Sequence, residues 1–202
     1  MINKFSALLA SAAIATGTIA TLAAAPAHAA TFACESSISG LVSGTSACER
    51  SNSATQDFLN TNPMTVNSEE FFDSTNWVFG GKIGENTGYL GTGEGKTGTW
   101  NISSVVENTW ENIMLVFKSG QGTTLVGYQL EDGVTSGTWS SPFLKSVFGF
   151  NGGNVKDVSH ISVYYTVGDP KPPVTQVPEP ATILALGLVA GGMAVSRRRK
   201  FC

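Results

Sequence analysis

Ile113-Met114-Leu115-Val116-Phe117-Lys118-Ser119-Gly120-Gln121-Gly122-Thr123-Thr124-Leu125-Val126-Gly127-Tyr128 is the stretch that decides the fold. Ile113 to Phe117 is a continuous apolar run, the pattern of a central strand covered on both faces. Ser119-Gly120-Gln121-Gly122 separates it from a second run, Thr123 to Leu130. Two such runs joined by a short Gly-containing link read as a β-hairpin. Glu131-Asp132-Gly133 closes the second run.

Outward from this hairpin the pattern repeats. Short apolar and aromatic runs alternate with Gly, Asn, Ser and Asp, the signature of many short strands joined by turns. The candidate strands are Trp77 to Ile83, Thr97 to Ser103, Asn112 to Lys118, Thr123 to Leu130, Gly137 to Ser140 and Val158 to Val167. Asn151-Gly152-Gly153-Asn154 marks the turn before the last, in which Ile161, Val163 and Tyr165 share one face. No long helical period survives between residues 30 and 176. The expected fold is all-β, an antiparallel β-sandwich of jelly-roll-like form. Thr97-Gly98-Thr99-Trp100 is echoed by Ser136-Gly137-Thr138-Trp139, which reads as two strands of one sheet opening in the same way.

Both ends of the chain must be set aside before the fold is read. Met1 to Lys4 is a short n-region with one positive charge, and Phe5 to Ala25 is an apolar stretch of small residues. Ala27-His28-Ala29 supplies an A-x-A cleavage pattern, so residues 1–29 read as a secretory signal peptide. At the other end Ala181 to Val195 carries no charge. A spanning helix wants about 20 apolar residues, with about 17 as the lower bound, and residues 180–196 just reach it. Arg197, Arg198, Arg199 and Lys200 follow and would remain in the cytoplasm.

Pro178-Glu179-Pro180 stands directly before that apolar run. Triplet, run and basic end together resemble the PEP-CTERM sorting signal of Gram-negative bacteria, cyanobacteria included. The resemblance implies that a membrane-embedded processing protease, an exosortase, reads the tail and cleaves near the triplet. The middle of the chain, about 66–166, also resembles a group of PEP-CTERM proteins common in cyanobacteria. The resemblance rests on Ile113 to Gly120, Thr123 to Tyr128, Ser136 to Trp139 and Lys156 to Tyr165, and it carries over no activity.

The expected organisation has five parts. A signal peptide at 1–29 precedes a polar N-terminal segment at 30–62, with a short helix around Ala54 to Leu59 or a loop. A sandwich domain at 63–167 and a Pro-rich spacer at 168–176 follow, and the sorting signal occupies 177–202. The spacer should be extended and semi-rigid.

Charge and cysteine usage narrow the function. The whole chain has 12 basic and 15 acidic residues, net −3. Without Lys4, Arg197 to Lys200 and Glu179, 7 basic and 14 acidic residues remain, about −7. Nucleic acids and anionic membrane surfaces need basic patches, so neither is an expected partner. Cys34 and Cys48 form an even pair in an exported segment and are expected to be a disulfide. The closed loop of about 15 residues is worth on the order of 3 kcal/mol. A metal pair is the alternative, but His or further Cys ligands are not nearby in the sequence. Cys202 lies beyond the basic cluster.

Several motifs bear on chemistry. Gly93-Glu94-Gly95-Lys96-Thr97-Gly98 fits G-x-G-x-x-G, but a strand rather than a helix follows, so a Gly-rich hairpin loop is expected. Gly91 to Thr97 falls one residue short of a P-loop. His160 is the one histidine left after processing, and no nucleophile elbow accompanies it. Glu107, Glu111, Glu131, Asp132 and Asp157 could supply paired carboxylates for glycoside hydrolysis. No Asp/Asn cluster matches an EF-hand. The aromatic residues are the candidate ligand set, with Trp110, Trp77 and Trp139 foremost and Trp110 expected to be the most exposed; the alternative places each tryptophan in the core.

The expectation is an exported surface or matrix protein, non-enzymatic and without a cofactor or metal. Its expected partners are the secretion machinery and, as the resemblance to PEP-CTERM proteins implies, an exosortase-type protease and exopolysaccharide. A secreted hydrolase acting on glycans and a module that binds only copies of itself are the alternatives.

Overall fold

The computed structural model describes residues 31–169. The signal peptide with Ala27 and Ala29, the spacer beyond Asp169, and the sorting tail with Pro178, Glu179, Pro180 and Arg197 to Lys200 lie outside the described residues. The strands are β1 (Thr31–Ala33), β2 (Thr45–Ser51), β3 (Val78–Lys82), β4 (Leu90–Gly91), β5 (Thr97–Asn101), β6 (Trp110–Ser119), β7 (Val126–Leu130), β8 (Ser136–Ser140) and β9 (Val158–Val167). Helices are single turns: α1 (Ser36–Ser39), α2 (Thr65–Ser68) and α3 (Lys145–Phe148).

The strands form two antiparallel sheets, a six-stranded one in the order β1-β2-β7-β6-β9-β3 and a three-stranded one in the order β4-β5-β8. The hairpin read from the sequence is β6–β7, with Leu115 opposite Tyr128 and Phe117 opposite Val126. β6 sits between β7 and β9 and is covered on both faces, since Met114, Leu115, Val116 and Phe117 are all fully buried. Successive side chains of a strand point to opposite faces, so each alternate set enters a different core. Leu115, Phe117, Tyr128, Ile161 and Val163 meet Trp100, Ile102 and Trp139 of the small sheet. Met114, Val116, Leu125 and Tyr164 meet Val66, Phe71 and Trp77. Residues 52–77 therefore roof the second face of the large sheet.

The sequence echo is explained by β5 and β8, which are neighbours with Gly98 opposite Trp139 and Trp100 opposite Gly137. Each indole lies over the other strand's glycine. A Cβ at Gly98 would come 2.8 Å from the Trp139 ring, and one at Gly137 would come 3.0 Å from Trp100.

The expected boundary at residue 62 is corrected. β1 and β2 belong to the large sheet, with Cys48 opposite Tyr128 and Arg50 opposite Val126. β2 (Thr-Ser-Ala-Cys-Glu-Arg-Ser) has no aliphatic alternation to announce it; β7 supplies the apolar partners and the ladder. Residues 54–59 are not helical. The segment before β2 also joins the two sheets. Val42 bridges to Trp139 of the small sheet, while Glu131 N–H donates to the Gly44 carbonyl (2.9 Å) and Thr45 pairs with Leu130 of β7.

Candidate functional site

β9 carries His160, Ser162 and Tyr164 at alternate positions, so all three project toward the roof formed by residues 52–77. Asp57 comes down from that roof between them. Its Oδ1 lies 2.9 Å from His160 Nε2, and its Oδ2 accepts the Ser162 hydroxyl at 2.5 Å. The pair is largely buried, with side-chain exposures of 14% for His160 and 6% for Asp57. Burial alone would raise the Asp57 carboxyl. The hydrogen bonds from His160 and Ser162 and the His160 charge together outweigh it, and the carboxyl is held below its usual range. Burial pushes the Tyr164 phenol up, and the Asp57 charge adds to it.

This arrangement resembles a catalytic triad in composition but not in connection. A triad needs the hydroxyl on the imidazole and the carboxylate behind it. Here the Ser162 hydroxyl donates to the carboxylate, so Asp57 accepts from both partners and no proton path from Ser162 to His160 is set up. The geometry pins the roof to β9. His160, singled out in the sequence, supplies one of the two hydrogen bonds to Asp57. Asp57 and Ser162 went unremarked there, and the one available signal was the alternation of 160, 162 and 164 along a strand.

A second carboxyl is buried on the same side. Glu69 Oε2 accepts the Ser51 hydroxyl at 2.5 Å, and that hydroxyl also receives the Ala54 amide at 2.7 Å. Burial raises the Glu69 carboxyl, and the Ser51 hydrogen bond offsets part of the rise. Nearby, Glu49 Oε2 accepts the Phe72 amide at 2.7 Å. Phe72 lies in a stretch where Glu70, Phe72 and Asp73 take left-handed φ of 54–55°. By contrast, Glu107, Glu111, Glu131, Asp132 and Asp157 are all exposed.

The tryptophans are placed differently from the expectation. Trp77 is buried and donates its indole N–H to the Phe71 carbonyl. Trp139 is buried and donates to the Thr92 carbonyl. Trp110, expected to be the most exposed, is 7% exposed. Tyr165 stacks flat on it, with ring centroids 3.8 Å apart and planes 5° apart. The polar neighbours Thr109 and Glu111 suggested exposure, but a bulge between Trp110 and Ile113 turns the indole onto β9.

Cys34 and Cys48 are bonded, with Cα atoms 5.4 Å apart. The glycine motif is the turn of the β4–β5 hairpin. Gly95 exchanges backbone hydrogen bonds with Val158 at 2.9 and 2.7 Å, so its amide is not available to cradle a phosphate. Among the described residues no three His, Cys, Asp or Glu side chains gather to hold a metal ion. Among them, too, no helix is long and apolar enough to cross a membrane.

Compared with known proteins, residues 176–200 match the PEP-CTERM protein-sorting motif. No curated protein and no solved structure matches the chain.

Proposed function

We propose that this chain is an exported surface protein, trimmed by an exosortase-type membrane protease, whose sandwich is a non-enzymatic module associated with extracellular polysaccharide. The observation that carries the reading is the sorting motif at residues 176–200. A bonded Cys34–Cys48 pair suits the oxidising side of a membrane. The non-enzymatic part draws support from the wiring of Asp57, His160 and Ser162, which holds a roof in place instead of activating a hydroxyl. The polysaccharide part is motivated by the sorting system that the tail resembles, which accompanies exopolysaccharide production. With Trp77, Trp110 and Trp139 buried, sugar contact would fall to half-buried Tyr165 and to the exposed Ser and Thr side chains of β5 and β8. Co-sedimentation of the Ala30 to Gln176 domain with exopolysaccharide from the producing strain tests it. Saturable binding is expected; no binding at any concentration would remove the sugar partner and leave self-association as the role of the module.

A further inference from the structure

The chain leaves the sandwich at one pole. β9 ends at Val167, the Gly168 amide donates to the Thr109 carbonyl at 2.9 Å, and Asp169 is the last described residue. This pole carries a contiguous apolar surface. In the sheet register Val78, Tyr165 and Ile113 form one rung, and Val167 lies opposite Trp110 on the next. Val78 and Val167 are 37% and 57% exposed. Behind them the floor is stiff, because Tyr165 stacks on Trp110 and both Trp110 and Tyr89 press on Gly80, a residue with no side chain to hold them off. Exposed Glu107, Glu111 and Asp169 flank the patch.

Two valines standing alone would be ordinary. Valines set beside a rigid aromatic floor and flanked by charge form the kind of patch that marks an interaction site. What meets it follows from where the chain goes. The sorting motif begins at residue 176, and from Asp169 to Pro178 the chain reaches at most about 30 Å even when fully extended. An enzyme that engages the motif therefore works within about 30 Å of this pole, close enough for its outward surface to meet it. The acidic flank disfavours an anionic lipid surface.

We propose that the pole formed by Val78, Tyr165 and Val167 is a docking surface for the processing protease. The contact is apolar at its centre, with basic groups of the protease facing Glu107, Glu111 and Asp169. It adds a folded recognition element to the linear motif, and it rests on the sorting reading above.

The test follows loss of the tail from pulse-labelled full-length precursor in the producing strain. Val78→Ser with Val167→Ser is expected to slow processing roughly tenfold, equivalent to about 1.4 kcal/mol of lost contact. Val167→Thr keeps the β-branched shape and is expected to slow it by a smaller factor, which guards against a folding artefact. Phe58→Ser with Leu59→Ser, exposed apolar positions on the roof, is expected to leave the rate unchanged. Normal processing of the Val78/Val167 variant overturns the proposal, as does equal slowing in the Phe58/Leu59 control. So does patch-dependent flotation of the chain with anionic vesicles, or a patch-dependent dimer, because the surface then belongs to lipid or to a second copy. A wild-type precursor that keeps its tail, or unchanged processing when Pro178, Glu179 and Pro180 are all replaced by Ala, would sink the sorting reading instead.

Discussion

Asp57 joins a loop to a strand by accepting hydrogen bonds from two β9 side chains, and its removal has a readable cost. Asp57→Ala leaves the Ser162 hydroxyl and His160 without their buried acceptor, so a loss of about 1–3 kcal/mol is expected in urea unfolding. The roof, not the whole sandwich, should loosen first, and hydrogen exchange at residues 52–65 would show it. The two buried carboxyls give opposite pH signs. Asp57 is more acidic folded than free, so its contribution is present above the ordinary carboxylate range and is lost as pH falls through the lowered value. Glu69 is less acidic folded than free. Its contribution is present below the ordinary value and is lost as pH rises through the raised one. Asp57→Asn should therefore flatten the acid limb of the stability curve. Glu69→Gln, which still accepts from Ser51, should stabilise the protein at neutral pH relative to wild type. Unchanged acid limbs in Asp57→Asn would remove the latch assigned to Asp57. At this scale the sequence said little, because Asp57 is separated from His160 by 103 positions and nothing local to either residue announces the pair.

The elements were more legible. The Ile113–Phe117 run and the Gly-containing link after it gave the β6–β7 hairpin, since an unbroken apolar stretch has to be buried on both sides. The Gly-Thr-Trp echo gave two strands of one sheet but not their pairing, which depends on a register that places each glycine under the other strand's indole. That register makes a prediction. Gly98→Ala would put a methyl 2.8 Å from the Trp139 ring, so a loss of about 1–3 kcal/mol is expected from overpacking. An alanine at Gly120, where nothing lies within 4 Å, should be close to neutral, and equal effects at the two sites would contradict the packing. β2 was illegible because its own side chains are small or charged; it is a strand through β7 and the Cys34–Cys48 bond. Replacing both cysteines by Ser should cost about 3 kcal/mol, read as a lower denaturant midpoint. The seam formed by Leu41 to Thr45 should open before the β6–β9 ladder.

For the molecule as a whole, the fold class was readable because many short apolar runs with marked turns have few other solutions. The division into a six-stranded and a three-stranded sheet was not. Nor was the roof over the large sheet, because polar residues 52–64 carry no period and their place is set by contacts with β9 and β7. Burial of Trp77, Trp110 and Trp139 removes the exposed aromatic platform that the sequence suggested. What stands at this scale is an acidic, disulfide-closed sandwich followed by a sorting motif at residues 176–200. The most direct measurement is the intact mass of the protein recovered from the envelope and extracellular fractions of the producing strain. The account predicts a species that has lost both the first 29 residues and the chain beyond the Pro178-Glu179-Pro180 region, and that becomes lighter only by the tail when the signal peptide is already removed. Recovery of the full-length chain, or of a mature form that keeps Ala181 to Cys202 in every fraction, would contradict it.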